Sequence, residues 1–115
     1  MNKLKEVLIN KNNSCNPIWF MRQAGRYLPE FKKIRSTNKD FIKLCLNSKI
    51  ASKITLQPIK RFDLDSAIIF SDILVTPYAL GQEVKFIKSQ GPELSKFNKE
   101  AFFDISEKNF TKKLN

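Results

Sequence analysis

The chain has 115 residues, 42% hydrophobic and 28% charged, with 21 Lys and Arg against 11 Asp and Glu for a formal net charge of +10. That length suits one small domain with a real core, and the apolar content excludes a disordered chain. There is no histidine, and the two cysteines, Cys15 and Cys45, stand in no metal-ligand spacing, so the commonest zinc ligands and the commonest acid–base side chain are missing. Reduced thiols, no metal and a soluble, cytoplasmic protein are the expectation. MNKLKEVLIN is too short in apolar residues for a signal peptide, and no later run approaches the roughly 18 of a membrane span. A field of this sign attracts phosphate, acidic surfaces or polycarboxylates without naming which. The lysines are scattered rather than clustered, so an ordinary abundance of Lys and Asn accounts for the charge. A small basic nucleic-acid-binding module, which would group its basic residues on one face with aromatic residues among them, is the alternative.

In chain order, Lys3 to Asn10 reads as a short amphipathic helix and KNNSCN as a turn-rich stretch ending at Pro17. PIWFM reads as a buried strand, with Arg22, Gln23 and Gly25 hanging from its C-terminal end and Gly25 free to take backbone angles that other residues avoid. Leu28, Pro29 and Glu30 start a helix, Pro29 suiting its first turn. Asp40 is placed to cap FIKLCL, and Ser48 to cap a longer helix in which Ala51, Ile54, Pro58 and Phe62 recur at helical spacing. DSAIIF is the second strand, and Asp72 follows it as Arg22 follows the first. ILVTPYALG is a helical turn closed by Gly81, EVKFI a small strand and QGPEL a turn, and Ser106 caps a last helix in the Lys-rich remainder.

Two strands joined by helices predict a right-handed parallel crossover, at home in an open doubly wound sheet or in a (β/α)8 barrel of about 250 residues. In both architectures ligands bind at the C-terminal ends of the strands, which makes Arg22, Arg26 and Asp72 candidates. Only four of the 21 basic residues are arginine, and Arg22, Arg26 and Arg35 fall in one neighbourhood. Arginine's planar fork gives two parallel charge-assisted bonds to a carboxylate, so a ligand with several carboxylates explains arginine in a lysine-biased chain. Each residue also has an ordinary structural reading. Arg22 and Arg26 suit surface groups with packed stems, Asp72 the cap of a turn beginning at Ile73, and Arg35 a charge complementing a helix dipole.

PIWFMRQAGRYLPEF, followed by TLQPIKRFDLDSAIIFSDILVTPYALGQEVKF and GPEL, resembles the N-terminal part of the uroporphyrinogen decarboxylase family, for which RQAGR and FSDIL together are specific. The likeness runs almost continuously from Lys3 to the end of the chain. It implies an α/β chain forming the N-terminal portion of a single-domain TIM (β/α)8 barrel, truncated after about two barrel strands, with residues 1–115 as one segment. The implied activity is that of a carboxy-lyase, usually homodimeric, that removes carbon dioxide from the four acetate arms of uroporphyrinogen III to give coproporphyrinogen III in haem biosynthesis. It uses no metal or organic cofactor, and neither nucleic acid nor membrane is a partner.

By the same resemblance Arg22, Gln23, Ala24, Gly25 and Arg26 bind substrate, the arginines meeting its carboxylates, and Arg35 is a further carboxylate contact. Asp72 accepts hydrogen bonds from the pyrrole N–H groups and stabilises the positive charge that develops when a protonated pyrrole serves as the electron sink. The tyrosine, serine and histidine that later strands contribute in the family fall beyond Asn115. A truncated or split-gene form is therefore expected, inactive alone and in need of the missing C-terminal part. Unpaired strand edges predict aggregation or marginal stability.

Overall fold

Helix boundaries follow local backbone chemistry in the computed structural model, which describes residues 3–11, 14–21, 23–87 and 90–115. Helix α1 spans Lys3–Leu8. Helix α2, Pro29–Thr37, opens with Pro29, which lacks the amide proton that a first helical turn leaves unbonded anyway. Helix α3, Phe41–Leu46, is capped as expected, Asp40 Oδ1 accepting the Lys43 N–H at 3.0 Å. In α4, Ser48–Phe62, Ser48 is the first helical residue rather than the residue before it. Helix α5, Val75–Ala79, ends in a left-handed glycine: Gly81 has φ +89°, its N–H donates to the Tyr78 carbonyl, and the Gln82 N–H donates to that of Pro77. Those two bonds satisfy carbonyls that the helix end would otherwise leave bare.

The described residues fall into two units, residues 1–39 with 48–70 and residues 40–47 with 71–115. In the first, α4 turns Ala51, Ile54, Gln57 and Pro58 to one buried face, the spacing expected of a helix, and Ile54 and Leu28 are fully buried. Phe31 of α2 meets the edge of Phe70 at 5.7 Å between ring centroids. Phe62 is half exposed rather than on the buried face, and stacks on Tyr27 at 6.4 Å. The hydroxyl of Thr55 donates to the Ala51 carbonyl and accepts the Phe70 N–H, both at 2.8 Å, so one side chain ties the 65–70 segment to α4.

A bidentate pair also joins α2 to α4. Arg61 Nε donates to Glu30 Oε1 at 2.8 Å and Nη2 to Oε2 at 2.9 Å. The Arg61 hydrogen bond, with a backbone hydrogen bond second, holds the Glu30 carboxyl below its ordinary value of 4.5. A carboxyl whose pKa is depressed by folding adds stability that is present above the unfolded value and lost as pH falls through the folded one. Acidification below about 4.5 is therefore expected to weaken this unit, and Glu30→Gln to flatten that part of the profile. Urea midpoints taken between pH 3 and 6 check this, and identical slopes for the two chains would contradict it.

The two extended segments depart from expectation. Neither PIWFM nor DSAIIF forms a ladder strand, and the first is not buried. They run side by side through a few bonds, the Asp65 N–H to the Ile18 carbonyl and the Ile18 N–H to Asp65 Oδ2, both at 2.9 Å. Trp19 is 50% exposed, Met21 76% and Ile69 79%. Parallel strands need cover on both faces, and a lone short pair has too little to hold a ladder.

In the second unit, α3 packs on α5 and α5 on α7, Glu107–Leu114, around buried Ile42, Leu44 and Ala79. Ser106 caps α7 as expected, accepting the Asn109 N–H. Strand β1, Val84–Ile87, was anticipated, but its antiparallel partner β2, Gly91–Leu94, occupies the stretch read as a turn. Gly91, with φ +96°, faces Ile87 across the ladder at its turn end. Ser95 prolongs the pairing by exchanging bonds with Glu83. Helix α6, Lys99–Phe103, was not anticipated; Asn98 caps it by accepting the Ala101 N–H at 3.0 Å. Among the described residues no helix is long and apolar enough to cross a membrane.

Candidate functional site

The loop after the first extended segment belongs to the first unit. Arg22 lies outside the described residues. Gln23, expected to meet a ligand, is 4% exposed, and its amide is used inside the fold: Nε2 donates to the Ser66 carbonyl at 2.8 Å and Oε1 accepts the Ile68 N–H at 3.1 Å. The Tyr27 hydroxyl donates to the Gln23 carbonyl, fixing the backbone at the same residue. Ala24 and Gly25 are half-buried. Gly25 does not take a left-handed backbone, since among the described glycines only Gly81 and Gly91 have positive φ. A Cβ added there would rest on the Tyr27 ring at 3.7 Å, an ordinary contact.

The Gly25 carbonyl accepts the Leu28 N–H at 3.1 Å, closing a turn around Arg26. Arg26 stands exposed on that turn, and among the described residues its guanidinium makes no hydrogen bond or ion pair. Buried Leu28 and the stacked Tyr27 root the loop, so the fold holds everything around Arg26 while leaving its fork to solvent. Arg35, in the last turn of α2, is half-buried and donates through Nη1 to the Asn38 carbonyl, the kind of cation–carbonyl contact that stabilises a helix end.

Asp72 belongs to the second unit. Its Oδ1 accepts the Leu74 N–H at 2.9 Å, and the Val75 N–H reaches its carbonyl at 3.2 Å, so it caps the turn leading into α5. The capping reading of this residue holds, and it leaves the carboxylate a second oxygen, Oδ2, with no partner among the described residues. One oxygen fixes the orientation and the other remains available as an acceptor. Sequence reading missed Tyr27 and Thr55 as supports. Their hydroxyls reach backbone groups of Gln23 and Phe70, and nothing in the pattern of apolar spacing marks such bonds.

In this α/β chain an exposed guanidinium, that of Arg26, stands on a loop of the first unit, and a carboxylate with one oxygen engaged, that of Asp72, stands on a turn of the second. The chain belongs to the uroporphyrinogen decarboxylase family: the profile described as Uroporphyrinogen decarboxylase (URO-D) matches residues 1–113. It is 53% identical over 102 residues to the uroporphyrinogen decarboxylase of Rickettsia africae, an alignment covering 87% of this chain and 30% of that protein. The Rickettsia conorii enzyme gives the same figures, and that of Rickettsia felis is 49% identical over 113 residues, covering 96% of this chain and 33% of the relative. The chain thus spans about a third of the length of the curated relatives it matches.

Proposed function

We propose that this chain supplies the N-terminal share of a uroporphyrinogen-decarboxylating site within a TIM barrel, the segments 17–21 and 65–70 being its first two barrel strands. The observation that carries the reading is the family match over residues 1–113, with RQAGR and FSDIL intact. Arg22 and Arg26 bind substrate carboxylates, with Ala24 and Gly25 forming the wall of the loop, and Arg35 contributes at greater distance. An exposed fork at Arg26 suits that role, because among the described residues no ion pair competes with the ligand.

Asp72 supplies the fixed negative charge. Protonation of a pyrrole ring makes it cationic, the bond to the carboxyl carbon breaks, and its electron pair flows into the ring as carbon dioxide leaves. Protonation of the remaining methylene gives a methyl group, and loss of the proton first added to the ring restores the neutral pyrrole. A carboxylate held by its own turn stabilises the cationic ring without having to reorganise. The reading includes the family's usual homodimer, a cytoplasmic setting and dependence on the remaining length of the barrel. The nucleic-acid alternative gains nothing from the family match.

The test is a chimera in which this chain replaces the matching segment of the Rickettsia africae decarboxylase. It is expected to convert uroporphyrinogen III to coproporphyrinogen III. A chimera that melts as cooperatively as its parent, yet neither binds uroporphyrin nor releases carbon dioxide, would refute the proposal.

A further inference from the structure

The buried Gln23 amide has a geometry that a substrate-binding role does not explain. Its two bonds go to the Ser66 carbonyl and the Ile68 N–H, groups two residues apart on one side of an extended segment. In a parallel ladder, one residue of the neighbouring strand donates its N–H to the carbonyl of residue i−1 and accepts with its C=O from the N–H of residue i+1, which here are Ser66 and Ile68 flanking Ala67. The side-chain amide therefore stands where a neighbouring strand residue would place its N–H and C=O. Its orientation is set by its partners, because the Ile68 N–H only donates and the Ser66 carbonyl only accepts. At the main chain of the same residue, the Tyr27 hydroxyl holds the carbonyl, and Tyr27 in turn stacks on Phe62.

Resting on the functional reading above, we infer that Gln23 is a positioning residue and not a substrate ligand. Its side-chain amide is a surrogate for the N–H and C=O of a parallel-strand residue and pins the arginine loop to the 66–68 segment, which runs on in sequence to Asp72. The inference explains why glutamine stands within a motif read as facing a ligand: at neutral pH a primary amide offers both a donor and an acceptor at the reach required, and a carboxylate does not. Leucine leaves both backbone groups unpaired in a buried place. Ionised glutamate sets a carboxylate against the Ser66 carbonyl, whereas protonated glutamic acid restores a donor and an acceptor.

Residue-resolved amide exchange on the 115-residue chain, with no ligand present, tests this. Gln23→Leu is expected to lower the protection factor of the Ile68 amide by about tenfold or more, with smaller losses in the second unit. Gln23→Glu is expected to show the same loss at neutral pH and to regain Ile68 protection on acidification, as its carboxyl protonates. Should the leucine variant unfold altogether, the acid-dependent return in the glutamate variant still decides. Unchanged Ile68 protection in Gln23→Leu, or a glutamate variant indifferent to pH, overturns the inference. Because no porphyrin is used, failure here is distinct from failure of the decarboxylase reading, which only the chimera tests.

Discussion

Asp72→Asn in the chimera is expected to lower kcat for decarboxylation by about 10²–10³-fold while leaving the melting curve where it was. The substitution is close to isosteric, and an amide oxygen still accepts the Leu74 N–H that Asp72 Oδ1 now holds, so the turn into α5 keeps its cap. What disappears is the negative charge that the proposed mechanism sets opposite a ring turning positive in the transition state. Loss of one preorganised electrostatic partner in a water-poor site typically costs two to three powers of ten. Asp72→Ala removes the cap as well, and is expected to cost about 1 kcal/mol of stability on top. Coproporphyrinogen formation measured beside thermal unfolding separates the two effects. Full activity in the asparagine variant would dismiss Asp72 from the chemistry.

Ile54→Ala is expected to be the most damaging change to the fold. Ile54 is fully buried, on the face of α4 that also buries Ala51 and Pro58. Truncating such a side chain removes its transfer free energy and leaves a cavity that close-packed surroundings fill only in part, about 2–5 kcal/mol in all. Ile54→Val keeps most of that volume and is expected to cost about 0.5–1.5 kcal/mol. The comparison is read from urea midpoints of the two variants. Equal midpoints would mean that the α4 face is not the packed centre of its unit. The effect is large against the few kcal/mol by which small domains are stable at all.

Helices were the legible part of the sequence, because their signals are local. The cap at Asp40, the proline at position 29, the glycine after α5 and the cap at Ser106 each act within one turn of chain, and each stands where the residues place it. Asn98 is an equally local cap, set in a Lys-rich tail that hides it. Strands were less legible because their partners are remote. QGPEL carries turn residues, yet Gly91–Leu94 pairs with Val84–Ile87 once Gly91 takes a left-handed backbone. PIWFM and DSAIIF were read as strands from their apolar runs, but a run does not reveal whether cover for its faces is at hand.

The site divides in the same way. RQAGR and FSDIL identified the family, and Arg26 and Asp72 stand on loops after the two extended segments, as expected. The inward turn of Gln23 was invisible in the sequence, since a polar residue inside a polar motif gives no sign of which way it faces. Its direction is decided by two backbone groups more than forty residues away in the chain.

The exposed stretch before the arginine loop has a practical consequence. Trp19 is the chain's single tryptophan, and half of its surface meets solvent. Indole fluorescence shifts to shorter wavelength and becomes harder to quench when water is displaced from the ring. Whatever settles over Ile18 to Met21 therefore announces itself in the emission colour, and the protein carries a built-in optical gauge of whether that stretch is wet or covered, readable without a label.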